Sequence, residues 1–301
     1  MLKKFIAFLF VLSLFSTVSF AHRKHENQTQ DVTVKTQKIT DRVYLLQGRG
    51  GNVGALVGAD GILIVDDDYA QISQKLAEAL KALGSDKPRF IFNTHWHGDH
   101  TEGNKFFGKD SLILAHTNVR KRLSVESMVL GNKVQPYEKF ALPVFTYDQS
   151  ISVHFNDEEV RAVHYPNGHT DGDSVIFFTK ANVVHLGDDF FTGRFPFVDL
   201  DNGGSVAGLT KNIGEILAKL PADVKIVPGH GALSTREDLK AYHQMLIETI
   251  DVVQKGLAAG KTLEGLKKDG FPEKYKVWGT GFIKPDFWIE TIYKSLVKKS
   301  D

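Results

Sequence analysis

The residues best suited to chemistry lie in one short stretch, Thr94-His95-Trp96-His97-Gly98-Asp99-His100. Imidazole nitrogens and carboxylate oxygens are typical ligands of zinc. Because alternate side chains of an extended backbone point to the same side, His95 and His97 are predicted to bind one metal ion. Asp99 and His100 follow at a turn into a short helix, and we expect them to face a second metal position.

Three further side chains that bind metals follow later in the chain, and each lies next to a predicted strand. His169 is on a tight turn beside a strand, Asp188 follows the apolar run 182–186, and His230 follows the run 224–227. The first motif likewise follows an apolar run, residues 90–92. Since open α/β sheets keep their sites at strand ends, these side chains are predicted to share one site.

The elements that must position these residues alternate along the chain. Strands recur in both halves, and amphipathic helices are predicted over residues 71–83, 205–220 and 234–258, with two more near 263–268 and 286–297. A capping box, Ser234 with Glu237, is predicted to open the third helix. This order predicts two facing sheets with helices outside, a four-layer αββα sandwich with its site in a cleft at one edge.

The N-terminus predicts an exported protein. Lys3 and Lys4 precede the apolar run Phe5–Phe20, and Ser19-Phe20-Ala21 is a small-x-small cleavage site. Residues 1–21 are therefore predicted to be a signal peptide cut after Ala21, and the mature protein periplasmic or secreted without stable membrane association. A retained N-terminal anchor is the alternative. Residues 22–31 are predicted to be a flexible tail, and residues 32–301 a single domain with C-terminal helices from about residue 234.

Composition excludes several classes of protein and site. The absence of cysteine excludes disulfides and zinc-thiolate sites. Removal of the signal peptide takes two lysines from a chain of net charge +1 and leaves −1. Such a chain lacks the basic surface that nucleic-acid binding requires. A small-molecule substrate is therefore the predicted partner, and the oligomeric state stays open.

The order of the candidate ligands resembles that of the metallo-β-lactamase superfamily, over roughly Val32 to Leu246. The resemblance implies the αββα fold and a hydrolase site with two metal ions. By matching position, the first ion would have the ligands His95, His97 and His169. The second would have Asp99, His100 and His230, and Asp188 would bridge both ions.

The implied activity is that of an exported hydrolase with two Zn²⁺ ions, although iron or manganese also suits such ligands. The expected reaction is cleavage of a carbonyl-centred bond in a β-lactam, lactone, ester or amide, by a hydroxide that bridges the two ions. Zinc lowers the pKa of bound water to about 7. Asp99 is the predicted catalytic residue, because its carboxylate can orient the hydroxide and accept its proton.

The substrate is less well determined. Most β-lactamases of the superfamily have cysteine or serine where this chain has Asp188, whereas glyoxalase II and lactonases have aspartate. A glyoxalase II-like thioester hydrolase is one alternative, although its glutathione substrate is intracellular. A di-iron redox protein and a non-catalytic metal-binding protein are others. Arg194 and Trp96 are predicted to contact substrate, and residues 131–142 are predicted to form a loop that acts as a lid or a substrate wall.

Overall fold

The structure, a computed structural model, describes residues 32–297. The predicted signal peptide and the predicted tail lie outside the described residues. Among the described residues, no helix combines the length and the apolar character needed to cross a membrane.

Nine strands precede residue 148 within the described range, and seven of them form one sheet. They are β1 (Lys35–Lys38), β2 (Val43–Gln47), β3 (Val53–Gly58), β4 (Gly61–Val65), β5 (Phe90–Asn93), β6 (Leu112–His116), β7 (Ser127–Val129), β8 (Asn132–Val134) and β9 (Phe145–Tyr147). The first sheet has the order β1-β2-β3-β4-β5-β6-β9. Strands β7 and β8 form a separate hairpin, of which β8 lies within residues 131–142, the stretch predicted to be a loop, and β7 lies just before it.

The second sheet has the order β10-β11-β12-β13-β14-β15. Its strands are β10 (Ser150–Phe155), β11 (Glu158–His164), β12 (Ser174–Phe178), β13 (Val183–His185), β14 (Lys225–Val227) and β15 (Ser234–Thr235). Strands β13 and β14 are parallel, as are β4 and β5 in the first sheet. Parallel neighbours end at the same edge of a sheet, so the loops after these strands lie side by side.

The helices lie outside the two sheets. They are α1 (Ser73–Leu83), α2 (Gly98–Thr101), α3 (Asn104–Phe107), α4 (Thr117–Leu123), α5 (Val206–Lys219), α6 (Arg236–Ala258), α7 (Leu263–Asp269) and α8 (Pro285–Val297). Short 3₁₀ segments span Ala70–Ile72, Lys139–Ala141, Gly187–Asp189, Leu200–Asn202 and Glu273–Thr280.

Strand β4 shows why the sequence forms layers. Its run Ile62-Leu63-Ile64-Val65 is buried throughout, as expected of a strand covered on both faces. Leu63 and Val65 pack in the core between the two sheets, whereas Ile62 and Ile64 pack against α1. A third core lies between the second sheet and helices α5, α6 and α8. The predicted αββα sandwich with extra C-terminal helices is confirmed.

Helix α6 begins one residue later than the predicted capping box implies. Its N-cap is Thr235, which exchanges hydrogen bonds with Asp238. Ser234 cannot cap the helix, because it lies in β15 and pairs there with Ile226 of β14. Its hydroxyl is hydrogen-bonded to the hydroxyl of Thr192 and to the carbonyl of Ala232. Pairing within the sheet therefore decided where the helix starts.

Candidate metal centre

The parallel strands bring the predicted ligands to one edge of the sandwich. Asp188 and His230 each lie three residues beyond the register pair His185 and Val227 of β13 and β14. In the first sheet, Asp66 directly follows β4, and the motif from His95 to His100 begins two residues after β5. The loops after four strands from two sheets thus line one cleft.

The first group of side chains is buried and compact. His95, His97, His169 and Asp188 each offer one ligand atom within 4.8 Å of the others. Nδ1 of His97 lies 2.8 Å from Nε2 of His169. Oδ2 of Asp188 lies 3.6 Å from Nε2 of His169 and 3.9 Å from Nε2 of His95. Three nitrogens and one oxygen therefore converge, as in a zinc site.

The second group adjoins the first through Asp188. Asp99, His100 and His230 offer ligand atoms within 4.8 Å of one another. Oδ1 of Asp188 lies 3.0 Å from Nε2 of His100 and 3.4 Å from Nε2 of His230. Since Oδ2 of the same carboxylate faces the first group, Asp188 stands between the two groups. The structure thus brings together all seven side chains that the sequence proposed as ligands, and their binding of metal stays a prediction.

In four of the candidate histidine ligands, the ring nitrogen that points away from the centre of the site makes a hydrogen bond. Such bonds fix the ring and direct its other nitrogen at a metal ion. The bonds are His95 Nδ1 to Thr94 Oγ1 (3.0 Å), His97 Nε2 to Asp199 Oδ2 (2.9 Å), His169 Nδ1 to the Phe197 carbonyl (2.8 Å) and His100 Nδ1 to Asp66 Oδ2 (2.7 Å). On the inner side, Nε2 of His95 is buried and makes no hydrogen bond. A buried ring nitrogen without a hydrogen-bond partner fits a site built for a metal ion.

The charges of the site also fit a cation. Burial lowers the pKa of His95 and of His169, so both rings are neutral and offer electron pairs. Burial alone would raise the pKa of Asp188, but His100 and His230 lower it well below its usual range. Burial alone would lower the pKa of His230, but Asp188 and Asp99 raise it to about 9. The carboxylates thus attract positive charge, which protons or metal ions can supply.

This competition predicts that metal binding depends on pH. Aspartates around His100 and His230 raise the pKa of both rings despite their burial. The rings are protonated at pH 7 and must lose a proton to bind metal. We expect affinity at this position to rise between pH 6 and about 9, by about tenfold per pH unit for each proton released. Competition with a chromophoric chelator measures this, and equal affinity at pH 6.5 and 8.5 would contradict it.

Two glycines are required by the close packing of the ligands. A Cβ on Gly51 would lie 2.2 Å from the ring of His100, and one on Gly229 would lie 2.0 Å from Oδ1 of Asp188. The glycine-rich bend at residues 48–52 therefore lets the backbone approach a ligand.

Asp199 is hydrogen-bonded to Nε2 of His97, on the side of the ring away from the candidate metal site. The sequence analysis did not identify this residue. No local motif marks this aspartate, which is far from His97 along the chain. Asp199→Ala is expected to lower metal affinity about 10- to 100-fold, because the ring of His97 loses the bond that orients it. Asp223→Ala removes an exposed carboxylate near β14 and serves as the control. Chelator competition measures both variants, and equal affinities would refute this role.

A cavity of about 560 Å³ opens above the ligands. Its lining includes Asp99, Asp188 and His230, together with the predicted substrate contact Arg194. Arg194 is exposed, and its side chain lies against Gly281. The cavity is also lined by residues that the sequence analysis did not propose: Arg49, Tyr69, Leu130, Phe282 and Ile283.

Trp96 does not reach this cavity, which corrects the prediction that it contacts substrate. Its side chain is 1% exposed and packs with Val119, Leu123 and Tyr137. In the extended segment Trp96 points away from its neighbours His95 and His97, so it enters the core while they enter the site. Its ring supports His97 at a centroid distance of 5.0 Å.

Comparison with known proteins identifies a matching family and several relatives. The metallo-beta-lactamase superfamily model matches residues 46–230. A metallo-beta-lactamase type 2 from Bacteroides fragilis is 20% identical over 81% of this chain and 97% of that protein. A hydroxyacylglutathione hydrolase from Nitrosococcus oceani is 29% identical over 46% of this chain and 47% of that protein. An uncharacterized Aquifex aeolicus protein is 30% identical over 37% of this chain. The matches to these last two proteins span about half of each relative, 47% and 54%.

Solved structures show the same fold at low sequence identity. The DIM-1 metallo-beta-lactamase has a TM-score of 0.59 and 15% identity, over 72% of this chain and 98% of that chain. A double mutant of the sec-alkyl sulfatase PisA1 has a TM-score of 0.71 and 12% identity, over 88% of this chain and 50% of that chain. The family match covers more than half of the chain and spans all seven candidate ligands, from His95 to His230. The chain therefore belongs to the metallo-β-lactamase superfamily.

Proposed function

We propose that this protein is an exported hydrolase with two zinc ions that cleaves a carbonyl-centred bond in a β-lactam, lactone, ester or amide. The position of Asp188 carries the proposal. One of its oxygens faces His95 and His169, and the other faces His100 and His230. A carboxylate with one oxygen toward each group of histidines suits a site for two ions.

The two groups of candidate ligands support two metal positions. His95, His97 and His169 would hold one ion, and Asp99, His100 and His230 the other. Nitrogen and oxygen ligands suit zinc, and iron or manganese are the alternatives. When bound, such ions polarise a carbonyl group and lower the pKa of water toward neutrality.

Asp99 is the proposed proton acceptor of the reaction. Its carboxylate lines the cavity, and Nε2 of His230 lies 3.1 Å from its Oδ2. Burial alone would raise the pKa of Asp99, but His100 and His230 lower it to about 2. The carboxylate is therefore ionised at neutral pH, so it can orient a water molecule and accept its proton as the water attacks the carbonyl carbon.

Tyr69 adds a proton donor to the same cavity. Burial and the charge of Asp99 raise its pKa to about 12. The phenol thus keeps its proton at neutral pH and can donate a hydrogen bond to an oxygen or nitrogen of the substrate.

A thioester hydrolase is the second candidate. The similarity to a hydroxyacylglutathione hydrolase, at 29% identity over 148 residues, favours it. The predicted export opposes it, because a glutathione thioester is an intracellular substrate. The sequence of residues 1–21, which is typical of a signal peptide, supports export, and we propose cleavage after Ala21 and a periplasmic or secreted product.

The test is metal analysis and hydrolysis in one preparation of the mature protein. We expect about two zinc ions per chain and chelator-sensitive turnover of one class among a chromogenic cephalosporin, an acyl lactone and a glutathione thioester. Turnover of the thioester alone would favour the second candidate. Bound iron with a visible chromophore would favour a redox protein, and full turnover without metal would refute the proposal. Mass spectrometry of protein recovered from its cells tests cleavage after Ala21.

A further inference from the structure

Two exposed apolar side chains face the cavity above the metal ligands, from two distant parts of the chain. Leu130 is at the tip of the β7–β8 hairpin and is 48% exposed. Phe282 lies between the 3₁₀ segment Glu273–Thr280 and α8 and is 78% exposed. Both line the cavity that contains Asp99 and Asp188. Exposed apolar side chains gathered at the mouth of a site indicate binding of an apolar group.

The backbone of Leu130 is strained, which gives a second, independent observation. Val129 pairs with Asn132 in the hairpin, so Leu130 and Gly131 are the two central residues of its turn. Their φ angles are +49° and +77°. Two-residue turns with positive φ at both positions favour Asn-Gly or Gly-Gly, and leucine is costly there. Strain of this kind is concentrated at sites of function, which favours a functional role for the leucine at this position.

The hairpin is fixed relative to the metal ligands. The Asn202 amide donates to the carbonyl of Met128 in β7, at 2.8 Å, and to the carboxylate of Asp199. Asp199 in turn holds His97. Arg122 donates to Oδ1 of Asn202 at 2.7 Å and fixes this amide. Leu130 is thus held at a set distance from the reacting end of the cavity.

The apolar surface continues away from the metal ligands. The ring of Phe197 lies 5.7 Å from that of His97 and 6.4 Å from that of Phe287 on α8, measured between centroids. A second cavity of about 360 Å³ shares Leu130 and Phe197 with the first and extends to Phe287. The two cavities therefore adjoin at Leu130 and Phe197. The second reaches α8, and its lining also includes Asp201, Glu290 and Lys294.

We propose that Leu130, Phe197, Phe282 and Phe287 form a channel that binds an elongated alkyl or acyl chain of the substrate. The scissile bond would then lie at the metal ligands, a step that rests on the proposed function. Phe282 and Phe287 lie beyond residue 230, where the family match ends. The channel therefore depends on the C-terminal part of this chain, and it selects substrates with long apolar chains over small or wholly polar ones.

The test measures binding of n-alkylphosphonic acids to the zinc-loaded protein by calorimetry. The phosphonate is an anion for the metal end of the cavity, and the alkyl chain runs from methyl through butyl and hexyl to octyl. Each buried methylene contributes about 0.8 kcal/mol, so we expect Kd to fall about fourfold per added methylene. Because binding is measured, the result does not depend on turnover.

Two variants locate the channel. Leu130→Asn places a residue favoured by the turn, so its Tm should equal or exceed that of the parent protein. Phe282→Ala removes an exposed aromatic ring from the cavity lining. We expect each to bind octylphosphonate about tenfold more weakly, with a smaller gain per methylene. Val277→Ala is the control, because Val277 is 64% exposed on the same C-terminal segment but outside the cavity lining.

The outcomes separate this proposal from the proposed function. Affinity that does not depend on chain length, or that keeps the same dependence in both variants, refutes the channel. Length-dependent binding that is lost in both variants, together with no hydrolysis of any carbonyl substrate, supports the channel and refutes the proposed reaction. Hydrolysis of a carbonyl substrate without length-dependent binding supports the proposed reaction and refutes the channel.

Discussion

Replacement of Asp188 by asparagine is expected to cut metal content below two ions per chain and to lower kcat/KM about 10³-fold. The carboxylate is the one ligand with an oxygen toward each group of histidines. Asparagine keeps its shape but removes its charge and one of its two acceptor oxygens. The loss should therefore exceed the roughly 10- to 100-fold cost of removing a residue that only supports a ligand, such as Asp199.

Metal analysis and steady-state kinetics on the same samples measure this effect. Asp223→Asn makes the same chemical change at an exposed position and should keep the metal content and rate of the parent protein. Asp188→Asn with two ions and an unchanged rate would show that Asp188 does not bridge the ions. If the rate fell while both ions were retained, Asp188 would be needed for catalysis but not for holding the ions.

Removal of the metal ions should lower the thermal midpoint by about 8–16 °C for each ion lost. An ion present at about 1,000 times its Kd stabilises the folded state by about 4 kcal/mol. For a domain of this size, 1 kcal/mol corresponds to about 2–4 °C. The physical reason is that the carboxylates of Asp188 and Asp99 concentrate negative charge in the site. When no cation is bound, they are buried together with protonated histidines.

Differential scanning calorimetry of the zinc-loaded protein, of the chelated protein and of the chelated protein after zinc is restored measures this shift. Asp188→Asn is the matched comparison, because its midpoint should respond less to the chelator. An equal midpoint in all three samples of the parent protein would mean that metal ions do not bind the folded state. A shift that zinc does not reverse would point to an effect of the chelator on the chain itself.

Local patterns predicted the fold well because periodicity reports which faces are buried. Helix α6 was predicted to end near residue 258 and does so at Ala258. The two last helices were predicted near their observed positions. The hairpin β7–β8 was missed, because its strands are three residues long and one face is open to the cavity. Such short segments carry too few residues for a period to show.

The N-terminus of α6 and the position of Trp96 illustrate where local reasoning fails. Ser234 and Thr235 are both good capping residues, and only the pairing of Ser234 with Ile226 decides between them. Trp96 lies between two candidate ligands, yet alternation along the strand end turns its ring toward the core formed with Val119 and Leu123. In both cases the partner is distant in sequence.

The sequence by itself determined the chemistry that the site can do. Residue type and order identified seven side chains as candidate ligands, and the strand ends before them indicated that they would meet. Tertiary structure decided the geometry: which nitrogen of each histidine faces inward, that Asp199 lies against His97, and that Leu130 and Phe282 line one cavity above them. The reason is that Asp199 reaches His97, and Leu130 and Phe282 come to line one cavity, only when the two sheets and the C-terminal helices pack, and no local pattern records such an arrangement.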